Sequence, residues 1–109
     1  MKKAFICSPY RGNEKNNVEQ AYKYCKQALD AGFIPIAPHT IFPNFLDDSV
    51  KEERELGIEM GVDLMKLCSE VWVFGTPTEG MKLEIAKAEE LGITLKFHDQ
   101  KGLVGYDNN

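Results

Sequence analysis

Residues 70–92 read EVWVFGTPTEGMKLEIAKAEELG, and this stretch decides the fold. Val71-Trp72-Val73-Phe74 is a short, wholly apolar run, the pattern of a strand buried on both faces of a parallel sheet. Gly75-Thr76-Pro77 ends it, because Gly and Pro turn the chain and Pro77 has no N–H for a ladder. Thr78 stands where a helix N-cap is wanted. From Met81 the spacing becomes helical through Leu83, Ile85, Ala86, Ala88 and Leu91, with Gly92 as the stop. A polar loop thus leaves the carboxyl end of a central strand and opens onto a helix N-terminus, with Glu84 about one turn inside. Ligands of open α/β sheets bind at such places.

Working outward, Ala4-Phe5-Ile6-Cys7 is a second interior strand, followed by the turn-rich Ser8-Pro9-Tyr10-Arg11-Gly12-Asn13. A helix is expected from about Glu14 to Ala31, with Val18, Ala21, Tyr22, Cys25, Ala28 and Leu29 on one face and Gly32 closing it. Phe33 to Ala37 reads as a strand that Pro35 confines to a sheet edge. Pro38 to Ser49 is a long loop without regular pattern, a kind that is often functional. A helix from about Val50 to Cys68 begins charged and becomes apolar on more than one face (Leu56, Ile58, Met60, Val62, Leu64, Met65, Leu67). That width predicts packing against the sheet and against a second subunit. Thr94 to Phe97 alternates as an exposed edge strand would. Residues 1–98 then make one domain and 99–109 a short C-terminal tail, with Asp107-Asn108-Asn109 expected to fray.

Strands alternating with helices imply a parallel sheet with right-handed crossovers. Interior first and third strands with edge second and fourth give the order 2-1-3-4. The fold class is therefore α/β, a small flavodoxin-like three-layer α/β/α domain with a four-stranded parallel sheet. Its switch point lies between strands one and three, which sets SPYRGN beside GTPTEG with the PHTIFPNFLDD loop at the same end.

With 109 residues there is room for one core, and 43% hydrophobic with 28% charged residues is ordinary for a globular protein. A net charge of −4 argues against nucleic-acid polymers and anionic membranes as partners. No apolar run approaches the ~20 residues of a membrane span, and Met1-Lys2-Lys3 leads into a strand rather than a signal sequence. Three cysteines without a CxxC pair read as reduced thiols of a cytoplasmic protein. No cluster has metal-ligand spacing, and neither GxGxxG nor a Walker loop is present, so no metal or other cofactor is expected.

Each crevice residue has a plain structural reading beside a functional one. Glu84 is a helix-surface charge or a site carboxylate, expected at the crevice rather than in the core. Thr78 is an N-cap or an anion-facing hydroxyl. Tyr10 and Arg11 are loop surface, or groups for base stacking and phosphate pairing. Asp63, among apolar neighbours, needs a partner or a water-filled cleft. His39 is a loop hydrogen-bonder or a site residue, and Cys7 and Cys68 read as core.

FICSPYRG, GFIPIAPH, GVDLMKLCSEVWVFG and TEGMKLEIAKAEELG, in this order, resemble the nucleoside 2-deoxyribosyltransferase-like superfamily, in particular its short, DUF4406-like phage and bacterial members. The resemblance spans nearly the whole chain. It implies an enzyme that cleaves the N-glycosidic bond of a (deoxy)nucleoside or nucleoside 5′-monophosphate and transfers or hydrolyses the sugar. It implies a catalytic set of Glu84, four residues after Gly80, as nucleophile, Asp63 beside Leu64 as a substrate-holding carboxylate, and Tyr10 to orient Glu84 or the sugar, with Gly12 also in the pocket. Ser8, Arg11, His39, Gly75, Thr78, Gly80 and Met81 complete the expected substrate-binding set. Transferases of free nucleosides tend to carry Asp six residues before the nucleophile and the nucleotide hydrolases Ser. Thr78 at that place, with Arg11, points to a phosphorylated ligand. The implied partners are a small nucleoside or nucleotide and further copies of the chain. Two other readings stay open: a noncatalytic nucleotide-binding module, and a phosphoribohydrolase-type enzyme with a similar Gly/Thr-rich loop.

Overall fold

Side chains of successive strand residues point to opposite faces, and the two interior strands exploit this to build two cores. In β1 (Lys3–Cys7), Phe5 and Cys7 join one cluster while Ala4 and Ile6 join the other. In β3 (Glu70–Phe74), Val71 and Val73 share the first and Trp72 and Phe74 the second. A computed structural model describes residues 1–98 and the backbone of 104–107. Helix α1 (Glu14–Asp30) covers the Trp72 face through Tyr24 and Ala28. Helices α2 (Lys51–Met65) and α3 (Glu79–Glu90) cover the other through Met65, Met81 and Ala88. Three layers follow, because a sheet apolar on both faces must be covered on both.

Among the described residues β2 (Ile34–Ile36) pairs only with β1, so Pro35, opposite Ala4, sits on an edge as its missing N–H requires. β1 pairs in parallel with β3, Cys7 opposite Val73, and β3 with β4 (Thr94–His98). The parallel order 2-1-3-4 is thus the observed one.

β4 is not the open edge that its alternation indicated. A fifth strand, β5 (Val104–Asp107), pairs antiparallel with it, Leu95 opposite Asp107 and His98 opposite Val104. The residues 99–109 read as a tail therefore contribute a strand; Asn108 and Asn109 lie outside the described residues. The polar positions of β4 have another cause. Lys96 holds its ammonium 4.3 Å from the centre of the Trp72 ring, and His98 is buried and stacked on Phe74 at 4.4 Å. Polar-looking residues here cover aromatic rings.

The 38–49 segment is more regular than its sequence indicated. Two 3₁₀ turns, Pro38–Thr40 and Phe42–Asn44, each begin at or next to a proline, whose fixed φ suits a helical first turn. Thr40 Oγ1 donates to the Ala37 carbonyl at 2.7 Å, and Asn44 Nδ2 to the Thr40 carbonyl at 3.1 Å. Cys7, Cys25 and Cys68 are free thiols. No helix of the described residues is long and apolar enough to cross a membrane.

Candidate active site

Above the carboxyl ends of β1 and β3 the chain leaves a crevice of about 540 Å³. Its floor is Ser8 and the first turns of α3; one wall is α2 and the other the 38–46 segment with Tyr10. An open groove adjoins it along residues 43–49.

Thr78 caps α3, as its sequence position indicated. Its Oγ1 accepts the Met81 N–H at 3.3 Å, and its own N–H meets the Met81 sulfur at 3.5 Å. The cap leaves the first N–H groups of the helix without intrahelical acceptors at the crevice edge, a place suited to an anionic group. Gly80 lines the same edge with helical backbone, and a Cβ added there meets nothing within 4 Å. The fold itself does not call for glycine at this point.

Glu84 follows one turn later and is set more deeply than a surface charge. Its Oε1 is buried without a hydrogen-bond partner among the described residues, although part of the residue still reaches the crevice. Burial pushes its pKa from 4.5 up to about 7, against a smaller lowering by the Cys7 thiol. Ser8, from the end of β1, is the second such group: it is buried, lines the crevice, and its Oγ also lacks a partner. Two unpartnered polar atoms in one cavity mark where a polar ligand would be held.

On the opposite wall Tyr10 stacks on His39, ring centres 5.0 Å apart at 22°. Burial lowers the His39 pKa, with Asp48 opposing, so the imidazole is a neutral hydrogen-bonding group at neutral pH. Arg11 also lines the crevice, but its Nε donates to Asp48 Oδ2 at 2.7 Å, which offsets its charge. Met81 lines the floor with its stem in the core.

Three expected residues are not brought to the crevice. Asp63 lies on the outer side of α2, its side chain 70% exposed and 3.7 Å from Lys66. An i,i+3 surface pair satisfies the carboxylate, so the cleft that its apolar sequence neighbours called for is unnecessary. Gly12 and Gly75 shape turns instead of lining the cavity: their φ values are 103° and 78°, where a side chain would be strained. Gly75 keeps its N–H on the His98 carbonyl at 3.0 Å.

Sequence reading missed Arg54, Gly57, Gly61 and Met65, which line the α2 wall. They stand three, four and four residues apart, on one helical face. The two glycines of that spacing were the available signal, hidden in a run otherwise read as apolar on more than one face. Arg54 makes no ion pair or hydrogen bond through its guanidinium among the described residues, whereas Lys87 is held 3.4 Å from Glu90. Among those residues no group of His, Cys, Asp and Glu is arranged to hold a metal.

This is a three-layer α/β domain with its crevice at the switch point of the sheet, the architecture of the 2-deoxyribosyltransferases. The chain resembles the 2-deoxyribosyltransferase of Bacillus psychrosaccharolyticus, described as a biocatalyst for nucleoside synthesis, with TM-score 0.67 and 16% identity over 89% of this chain and 72% of that one. It resembles the 2-deoxyribosyltransferase of Leishmania mexicana with TM-score 0.55 and 16% identity over 91% of this chain and 65% of that one. At such identities the likeness is one of fold. Residues 2–98 match DUF7768, a domain of unknown function, and the chain belongs to that family. No curated protein matches.

The raised pKa of Glu84 has a consequence for stability. The unfolded chain releases this proton near pH 4.5, the folded one only near 7, so the unfolded state gains as pH rises through that window. Above pH 7 the full penalty, on the order of 3 kcal/mol, is present. Denaturant titrations from pH 4 to 8 should show Glu84→Gln equal to wild type at pH 4 and progressively more stable than it up to pH 7. Parallel curves across that range would show that the carboxyl is not desolvated.

Proposed function

We propose that this chain acts at the N-glycosidic bond of a (deoxy)nucleoside or nucleoside 5′-monophosphate, with Glu84 as the nucleophile. The observation that carries the reading is the buried, partnerless Glu84 oxygen in a crevice at the switch point. The 2-deoxyribosyltransferase fold supports the substrate class.

The ionised carboxylate attacks the anomeric carbon as the base departs. The C–N bond breaks with its electron pair on the base, which takes a proton from water at the open mouth, and a C–O bond to Glu84 forms. Water or a second base then displaces Glu84 and releases the sugar with retention. A carboxylate that is costly to ionise in the free site gains most when oxocarbenium character develops beside it, which favours the transition state over the ground state. Tyr10 on His39 offers an aromatic platform for the base, and Ser8 a hydroxyl for the sugar. The end of α3 receives an anionic group.

Glu84→Gln keeps the size of the side chain but cannot form the glycosyl ester, so release of free base from a panel of nucleosides and monophosphates should fall by orders of magnitude. With a fluorinated sugar, wild type should gain the mass of one sugar, mapping to Glu84. Glu79 is the control, since it projects into solvent beside Lys82. Base release unchanged in Glu84→Gln would end the covalent mechanism.

Among the described residues that line the crevice, Arg54, not Arg11, is the cation left for a phosphorylated ligand. Arg54→Gln should weaken binding of a nucleoside 5′-monophosphate about tenfold or more while leaving the nucleoside nearly unaffected, the scale of one hydrogen bond to a charged group. Arg11→Gln should do less. Equal binding of phosphorylated and unphosphorylated ligands by wild type would remove the phosphate from this proposal.

One observation favours a noncatalytic nucleotide-binding module instead: with Asp63 outside the crevice, Glu84 is, among the described residues, its only deeply placed carboxyl. Nucleotide binding without base release from any substrate would select that reading. Self-association also belongs to the proposal, because Leu56, Ile58 and Leu67 of the α2 region and Leu83 of α3 are exposed. Sedimentation at tens of micromolar should show a dimer or larger species, and a monomer throughout would count against it.

A further inference from the structure

Among the described residues, two side-chain oxygens of the crevice are buried without a hydrogen-bond partner, Glu84 Oε1 and Ser8 Oγ. Ser8 follows the last residue of β1 and is only 2% exposed. A hydroxyl so placed has lost its bonds to water, and gains a partner only when a ligand brings one. Other polar side chains around the cavity are already engaged. Thr78 Oγ1 caps α3, Arg11 is paired with Asp48, Glu53 Oε1 accepts the Asp47 N–H at 3.1 Å, and Lys87 is paired with Glu90.

With the anomeric carbon of a nucleoside at Glu84, the groups one bond away are the base, the ring oxygen and C2. The base has the Tyr10 platform on the opposite wall. The ring oxygen loses electron density as oxocarbenium character develops and becomes a poor acceptor. The 2-hydroxyl both donates and accepts, as a serine hydroxyl does, and bonds to it strengthen in the transition state of glycoside cleavage. We propose that Ser8 is a specificity-determining residue: its Oγ takes the 2-hydroxyl of the sugar, and the site is built for ribosyl ligands in preference to 2-deoxyribosyl ones. The inference rests on the reading of Glu84 as the carboxylate at the anomeric carbon. It sets this chain apart from the 2-deoxyribosyltransferases whose fold it shares. A 2-deoxy sugar would leave the buried Oγ unpartnered, and sites built around a hydroxyl discriminate strongly against the analogue that lacks it.

Dissociation constants of AMP, CMP, GMP and UMP and of their 2′-deoxy counterparts are measured in the Glu84→Gln protein, with Ser8 intact and with Ser8→Ala added. With Ser8 intact at least one ribonucleotide should bind about tenfold or more tighter than its 2′-deoxy counterpart, and Ser8→Ala should bring that ratio close to one. If the alanine variant does not fold, Ser8→Gly also removes the hydroxyl and carries the same expectation. Base release needs a further comparison, because 2-deoxyribosides are chemically the more labile. The ratio of ribo to 2′-deoxy rates should fall about tenfold or more from wild type to Ser8→Ala, and the intrinsic lability cancels in that quotient. Equal binding of both sugars with Ser8 intact, or an equal loss for both in Ser8→Ala, overturns the proposal. So does a preference that depends on the 3-hydroxyl instead, read with the 3′-deoxy nucleotides. Ribose selection through Ser8 in a protein that releases no base would uphold Ser8 and remove the catalytic reading of Glu84. No binding of any of these nucleotides would overturn the proposal together with the nucleotide reading.

Discussion

Everything at the candidate site depends on the parallel pairing of β1 with β3. Because Cys7 lies opposite Val73, the two strands end at the same level and their following loops emerge side by side. That register sets Ser8, from the end of β1, in one crevice with Gly80 and Glu84 of α3. A shift of one residue would turn Cys7 and Phe5 to the opposite face of the sheet and exchange the two cores. The apolar packing on both faces thus fixes the chemistry at their edge. The aromatic stack of Trp72, Phe74 and His98 anchors one side, and Phe5, Met65 and Met81 the other.

The sheet was legible in the sequence because its signals are local. Unbroken apolar runs mark β1 and β3, Pro35 marks the edge, and Thr78 with Gly92 brackets α3. β5 was not, since Val104–Asp107 is only four residues long and carries no period to separate it from a tail. β4 was misjudged because alternation reports polarity and not what a polar side chain covers. Lys96 over Trp72 gives the same pattern as a solvated lysine on an open edge.

The site was legible where backbone geometry fixes direction, and obscure where it does not. Thr78, Gly80 and Glu84 follow from a strand, a turn and a helical period. Asp63 does not, because a helix apolar on several sides gives no indication of which side meets the crevice. Cys7 reads as core, and it is core, its thiol donating to the Met81 carbonyl. The long 38–49 segment offered no period from which to place His39 against Tyr10.

Gly57, Gly61 and Gly80 occupy helical positions whose backbone does not require glycine, and a Cβ at Gly61 or Gly80 would enter empty space. Each gives up about 1 kcal/mol of helix propensity relative to alanine. The walls of the crevice are therefore built from residues that weaken the elements carrying them, and the opening is maintained at the expense of rigidity. A search for thermally tougher variants would select alanine at these points first, and in doing so would shrink the cavity. Hardiness and capacity for a ligand are opposed in this domain at the small residues that α2 and α3 turn to the crevice.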